Sequence, residues 1–198
     1  THQTTLIATT ALLLKLGIAP IHLWYPEILQ GATMNIALTI ATWQKIAPLT
    51  LLMLMHAHLP TMLIMLTGLA STMIGSLTGL NQTQTRKIMA FSSISHMGWL
   101  LMTLMLNPQL TTLTLTIYII TTITTFTPLA TTATKTVTDT NTTSSSSPML
   151  LALTMLSLMS LGGLPPLTGF MPKLLILSGL ITKHLIPLGT IIALASLP

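Results

Sequence analysis

The sequence has very little charge: 5% of its 198 residues are charged, whereas 51% are hydrophobic and the mean hydropathy is +0.82. Soluble domains carry roughly 25% charged residues, so this chain cannot cover a water-facing surface in the usual way. Threonine supplies most of the polar content, roughly a fifth of the chain. Its hydroxyl can bond to a carbonyl one turn earlier, which makes it acceptable inside a membrane helix. The composition excludes a soluble enzyme and predicts an all-α, polytopic transmembrane protein.

Cysteine is absent, which excludes disulfides, thiolate metal ligands, iron–sulfur clusters and cysteine nucleophiles. Basic residues outnumber acidic ones by seven to two, but the longest basic run is Arg86-Lys87, so no nucleic-acid partner is predicted. His56 and His58 lack the further ligands that a zinc site needs. We expect no metal or redox cofactor in this chain. We expect residues 1–198 to form one transmembrane domain. Because the sequence begins without Met and ends in an apolar run, we also expect it to be an internal fragment of a longer protein.

The hydrophobic runs predict a bundle of about seven membrane spans, since a bilayer core needs roughly 20 apolar residues per helix. The sixth run is too long for one span, and Gly162-Gly-Leu-Pro-Pro166 interrupts it. Proline removes a backbone donor and clashes with the preceding turn, so a broken helix is predicted near 162–166. The predicted spans are 4–19, 34–56, 60–80, 87–106, 110–130, 149–180 and 185–198.

The few charges outside these runs predict the orientation of the chain. The connections 20–33, 81–86 and 131–148 fall on one side and hold Arg86, Lys135 and both acidic residues, whereas the other side holds Lys183. Basic residues favour the cytoplasmic or matrix side of a membrane. We therefore expect the first group of connections to face the cytoplasm or matrix.

Three lysines lie within or beside apolar segments: Lys15, Lys45 and Lys173. A lysine at the centre of a bilayer costs about 2.5–3.5 kcal/mol on insertion scales. One explanation is that each aliphatic stem lets the ammonium reach the membrane surface, although Lys45 has long apolar stretches on both sides. The other is that these amines are buried, where desolvation disfavours the charged form, and gain and lose protons near neutral pH.

Histidine and glutamate extend this hypothesis of a proton path. His96 lies well inside its predicted helix, and a neutral imidazole can donate and accept a proton, although a structural histidine bonded to Ser92 or to a carbonyl is an equal alternative. His22 and Glu27 lie in a predicted loop whose aromatic residues indicate a membrane interface. They are secondary candidates for a proton entrance, and a solvated interfacial loop is the simpler explanation.

Four long motifs resemble, in the same order, the antiporter-like membrane subunits of mitochondrial NADH dehydrogenase, the respiratory complex I. Three contain the lysines: Lys15-Leu-Gly-Ile-Ala-Pro-Ile-His-Leu-Trp24, Thr42-Trp-Gln-Lys-Ile-Ala-Pro48 and Gly162-Gly-Leu-Pro-Pro-Leu-Thr-Gly-Phe-Met-Pro-Lys173. The fourth is Gly79-Leu-Asn-Gln-Thr-Gln-Thr-Arg-Lys-Ile-Met-Ala-Phe-Ser-Ser-Ile-Ser-His-Met-Gly-Trp99. The resemblance implies a proton-pumping core subunit of a translocase in the inner mitochondrial membrane. The Met- and Thr-rich composition suits a vertebrate mitochondrial gene product.

The resemblance also implies roles for single residues. Lys15 matches the lysine of a broken helix, Lys45 a central relay lysine, Lys173 the terminal lysine of the second half-channel, and His96 a histidine of the axis that joins them. The glutamate that pairs with the first lysine in the family would lie before Thr1. NADH, flavin, iron–sulfur clusters and ubiquinone would bind elsewhere in the complex, and the partners would be its other membrane subunits and the bilayer.

Two other functions stay open at this point. A stand-alone cation/proton antiporter of the same family would exchange ions without redox partners. A structural membrane subunit would use its lysines only to pair with acidic residues elsewhere. Removal of the lysine amines would then leave proton pumping intact.

Overall fold

A computed structural model describes residues 2–132, 136, 137, 139 and 148–196; Lys135 lies outside them. Within these ranges the regular secondary structure is α-helical, apart from a short 3₁₀ turn at His56–His58 and one isolated bridge between Gln84 and Thr136. The helices are α1 (His2–Leu16), α2 (Trp24–Gly31), α3 (Met34–Ala41), α4 (Trp43–Leu54), α5 (Thr61–Leu80), α6 (Thr85–Leu106), α7 (Pro108–Thr132), α8 (Pro148–Gly162), α9 (Phe170–Thr182) and α10 (Ile186–Ala195).

Four helical segments are long and apolar enough to cross a membrane: α3 together with α4, α5, α6 and α7. The four corresponding predicted spans agree with them to within a few residues. The other apolar helices, α1, α8, α9 and α10, are shorter, so the first and last predicted spans are helices of only 15 and 10 residues. The fold is the predicted all-α, multi-pass membrane bundle, and α6 is its most deeply buried span.

The predicted break in the sixth span is confirmed. Helix α8 ends at Gly162, and Gly163 has a φ of +79°, in the left-handed region that glycine tolerates. The Pro165-Pro166 pair lies in the connection, and the chain becomes helical again at Phe170. Because a helix end leaves its last carbonyls without partners in the helix, this break places free backbone acceptors inside the bundle.

The first span is also broken, and here the prediction of a loop over 20–33 is wrong. Helix α1 ends before Gly17, which has a φ of +71°, and α2 begins at Trp24. Pro26 lies in the first turn of α2, where a missing N–H breaks no helical bond. Glu27 is therefore an exposed residue of a helix and not a loop residue.

Small residues let α5 and α6 pack at very short range. A Cβ atom on Gly98 would lie 2.6 Å from the carbonyl oxygen of Gly68, and one on Gly75 would lie 2.7 Å from the backbone nitrogen of Ser95. Small residues at such positions let two membrane helices approach closely enough for backbone contact. We call this α5–α6 contact, centred on these four residues, the small-residue seam.

Contacts at the helix ends agree with the predicted grouping of connections. Arg86 donates to the carbonyls of Gln30 and Ala32 at the end of α2, and Gln84 pairs with Thr136. These contacts place the end of α2, the α5–α6 turn and the segment after α7 at one end of the bundle. Lys183 is at the other end, where its ammonium donates to the last carbonyls of α6.

Candidate functional site

Lys45 lies in the first turn of α4 and is only 3% exposed. Its Nζ atom lies 4.6 Å from the ring centroid of Tyr25 and 5.4 Å from that of Tyr118, so the ammonium is held against two aromatic rings. It also donates to the Tyr118 hydroxyl at 3.4 Å. Aromatic faces attract a cation through their quadrupole. The structure confirms that Lys45 faces the interior of the bundle.

Tyr118 connects Lys45 to the rest of the site. Its hydroxyl donates to the carbonyl of Ala41 at 3.0 Å. This carbonyl lies at the interruption between α3 and α4, where the backbone N–H of Lys45 donates to the carbonyl of Thr42. The opposite contact is with His96 of α6, whose ring centroid lies 5.5 Å from that of Tyr118. Tyr118 therefore contacts both a buried amine and an imidazole. Its phenol hydroxyl can donate one hydrogen bond and accept another.

His96 and Lys173 both bind the broken end of α8. The Nε2 atom of His96 lies 3.1 Å from the carbonyl oxygen of Leu161, and the Lys173 ammonium donates to the carbonyl of Gly162 at 2.8 Å. The Lys173 Nζ atom also lies 5.9 Å from the ring centroid of Trp99. The carbonyls at a helix C-terminus carry partial negative charge and favour cations. The break at Gly162 therefore explains why two titratable side chains meet here.

A cavity of about 20 Å³ separates His96, Tyr118 and Lys173. A water molecule needs roughly 10–15 Å³ of such space together with two to four polar partners. His96, Tyr118 and Lys173 are the lining residues with titratable side chains. The cavity therefore has room for one water molecule next to these three residues.

The structure thus brings together Lys45, His96 and Lys173, but not Lys15. Lys15 is exposed near the end of α1, contrary to the expectation that it faces the interior with Lys45. The reason is helical phase: Leu13 and Leu16, three residues apart, are buried and occupy the inner face.

The secondary candidates lie apart from this group. His22 is buried between α1 and α2 with its Nδ1 atom 3.3 Å from the carbonyl of Pro20, while Glu27 is exposed. His56 and His58 lie in the 3₁₀ turn, and no group of three metal-ligating side chains occurs among the described residues.

Sequence reasoning missed the two tyrosines, which are the only ones in the chain. Tyr25 is 1% exposed and packs in the core, so its interpretation as part of an interfacial loop is wrong. The available signal was rarity: in a chain with so few aromatic residues, a tyrosine inside a Thr-rich apolar run brings a hydroxyl that needs a partner when buried.

The comparison with known families covers nearly the whole chain. The family model described as "NADH:quinone oxidoreductase/Mrp antiporter, TM" matches residues 2–197. NADH-ubiquinone oxidoreductase chain 2 of Gallus gallus is 49% identical over 197 residues, which is 99% of this chain and 57% of that relative. The protein of the same name from Varanus melinus is 50% identical over 196 residues, with the same two coverages of 99% and 57%. The chain spans a little over half the length of these curated relatives.

Solved structures agree with these relatives. A chain of respiratory complex I from Thermus thermophilus with bound aureothin matches with a TM-score of 0.83 and 26% identity, over 93% of this chain and 44% of that chain. A chain of the Mrp complex from a Dietzia species matches with a TM-score of 0.85 over 98% of this chain and 39% of that chain, and at 17% identity the likeness shows the fold alone. The chain belongs to the NADH:quinone oxidoreductase/Mrp antiporter family of membrane proteins.

Proposed function

We propose that this chain is part of a core membrane subunit of a mitochondrial NADH:ubiquinone oxidoreductase, and that it carries protons across the inner membrane through its buried lysines. Relatives named NADH-ubiquinone oxidoreductase chain 2 support this assignment at about half identity. The translocase would work with the other membrane subunits of its complex. The redox groups would lie outside this chain, and charge changes there would reach the lysines electrostatically.

The observation that carries the proposal is the environment of Lys45. This amine is buried in the middle of a membrane span, and its described contacts are two aromatic rings and a phenol hydroxyl, with no carboxylate among them. A charge in such a place costs several kcal/mol unless it is paired. An amine held there without a fixed counter-charge suits a group that changes protonation state during a cycle.

The remaining contacts support a path from Lys45 towards Lys173. A proton leaving Lys45 would meet the Tyr118 hydroxyl at 3.4 Å, and the Tyr118 ring packs against the His96 ring with the two centroids 5.5 Å apart. The cavity of about 20 Å³ beyond them has room for a water molecule that would join His96 to Lys173. Lys15 is not in contact with this group; its role stays a proposal that rests on the family motif alone.

The test is Lys45→Met in the intact complex, reconstituted in vesicles. Methionine keeps the apolar stem but has no titratable amine, so proton pumping should be lost or strongly reduced while assembly stays normal. Lys45→Arg should also impair pumping, because a guanidinium does not release its proton in this range. Lys183→Met is the matched control, since the Lys183 ammonium donates to the last carbonyls of α6 at the other end of the bundle and takes no part in the proposed path. Pumping by Lys45→Met at the wild-type proton yield per NADH would show that the relay assignment is wrong.

A further inference from the structure

Trp99 of α6 packs beside the broken end of α8. Its side chain is only 4% exposed, and its ring centroid lies 5.9 Å from the Nζ atom of Lys173. A cation within about 6 Å of an aromatic face is attracted to that face. The indole is therefore a second group, besides the carbonyl of Gly162, that can hold the Lys173 ammonium.

The direction in which Trp99 points follows from the packing of α6. Gly98 lies in the small-residue seam against α5, where a Cβ atom would have no room, so the rotation of α6 about its own axis is fixed. His96 and Trp99 are three residues apart and share one face of the helix. Both line the small cavity together with Lys173. The seam thus turns the imidazole and the indole toward the same amine.

The indole is held in place by an apolar cluster that joins α6, α9 and α10. The buried members of this cluster are Trp99, Met102, Ile176, Leu180 and Ile192. Ile176 follows Lys173 by three residues on α9, so the two side chains project from the same face of that helix. The ring is therefore a fixed platform, and the face of α9 that carries Lys173 packs on it.

Lys173 has a freedom of movement that a second contact would remove. Its ammonium carries three N–H donors on a flexible stem, and among the described residues it makes one hydrogen bond, to the carbonyl of Gly162 at 2.8 Å. Lys173 also lines two cavities: the one of about 20 Å³ that it shares with Tyr118, and one of about 320 Å³ between α5, α6 and α8. With the hydrogen bond alone, the ammonium could turn toward either cavity.

We propose that Trp99 is a positioning residue for Lys173: its indole face keeps the ammonium on the carbonyl of Gly162, beside the small cavity that Lys173 shares with His96 and Tyr118. Trp99 acts through Lys173 and exchanges no proton itself. The consequence for proton transfer rests on the proposed function, whereas the placement of the ammonium does not.

Aromatic and non-aromatic replacements separate positioning from packing. Trp99→Phe keeps an aromatic face for the cation, whereas Trp99→Leu keeps an apolar side chain without such a face. Both are smaller than tryptophan and leave unfilled space in the cluster. Ile192→Ala is the control for that loss of packing, since Ile192 belongs to the same cluster but is not among the residues that line either cavity.

The proton yield per NADH is measured for the intact complex in vesicles, and the inactivation temperature for the solubilised complex. We expect all three variants to lower the inactivation temperature, but only Trp99→Leu to lower the proton yield, at least twofold. Equal yields in Trp99→Leu and Trp99→Phe would overturn the proposal, and so would an equal loss in Ile192→Ala. Should Trp99→Leu fail to assemble, Trp99→Met takes its place in the comparison, because a flexible methionine fills irregular gaps.

Cryo-electron microscopy of the variant complexes tests the placement of Lys173 without reference to pumping. We expect the Lys173 ammonium to leave the carbonyl of Gly162 in Trp99→Leu and to stay within hydrogen-bond distance of it in Trp99→Phe. An unmoved ammonium in Trp99→Leu would refute the role of Trp99. Lys45→Met separates this failure from that of the proposed function: if Lys45→Met stops pumping and the ammonium is unmoved, only the role of Trp99 is wrong. If Lys45→Met pumps normally, the proposed function fails wherever the ammonium lies.

Discussion

Tyr118→Phe removes a single oxygen atom from the centre of the site and leaves the ring in place. The lost hydroxyl donates to the Ala41 carbonyl at 3.0 Å and accepts from Lys45 at 3.4 Å. A buried carbonyl left without a partner costs about 1–3 kcal/mol, while side-chain hydrogen bonds inside membrane bundles average about 0.6 kcal/mol and reach about 1.7. We therefore expect a loss of about 1–2 kcal/mol in stability, seen as a lower inactivation temperature of the solubilised complex.

The effect on pumping should be larger than this stability loss implies. Because the Tyr118 hydroxyl bonds to the Lys45 ammonium and the Tyr118 ring contacts the His96 ring, removal of the hydroxyl should lower the proton yield per NADH at least twofold. Tyr25→Phe is the matched control: it keeps the ring that contacts Lys45 at 4.6 Å and removes a hydroxyl that does not bond to Lys45. A purely structural Tyr118 would lower the inactivation temperature and leave the proton yield unchanged, and that result would refute the link.

Three further predictions concern the backbone around the site. Gly98→Ala should prevent assembly of the complex, measured by native electrophoresis, because its Cβ would lie 2.6 Å from a carbonyl across the small-residue seam; Gly31→Ala, where a Cβ meets nothing within 4 Å, should assemble normally. Gly163→Ala should lower the proton yield per NADH, because a Cβ at this φ of +79° would lie 2.9 Å from the Nζ atom of Lys173, and an unchanged yield would count against the placement of that lysine. Arg86→Gln should lower the thermal stability of the complex modestly, because it removes the charged donor that holds the end of α2, and an unchanged inactivation temperature would contradict this.

Much of the fold follows from hydropathy alone, because a long apolar run in a membrane satisfies its backbone hydrogen bonds as a helix. The sixth span was predicted to break because two prolines and two glycines fall together at 162–166. The helix over Trp24–Gly31 was not predicted, because the aromatic residues of the connection 20–33 were interpreted as an interfacial loop. Pro26 lies in the first turn of this helix, where proline is compatible with helical structure.

The site was predictable only in part. Lys45 could be identified because its cost in an apolar run is a local property. Its contact with Tyr118, however, joins residues 73 positions apart, and no local pattern specifies that pairing. Lys15 shows the converse limit, since its local surroundings are also apolar and yet the phase of α1 turns it outward.

The last turn of α8 holds two side chains by adjacent peptide groups. His96 contacts the carbonyl of Leu161 and Lys173 contacts that of Gly162, so a movement of this helix end changes the geometry of both contacts. A shift of α8 along its axis by a fraction of its pitch would lengthen both bonds at once. While both hydrogen bonds are present, the helix end holds the imidazole and the amine at a fixed separation. When α8 moves away, both side chains are released together. Any partner that pushes on α8 from outside the bundle would therefore act on the imidazole and the amine in a single movement.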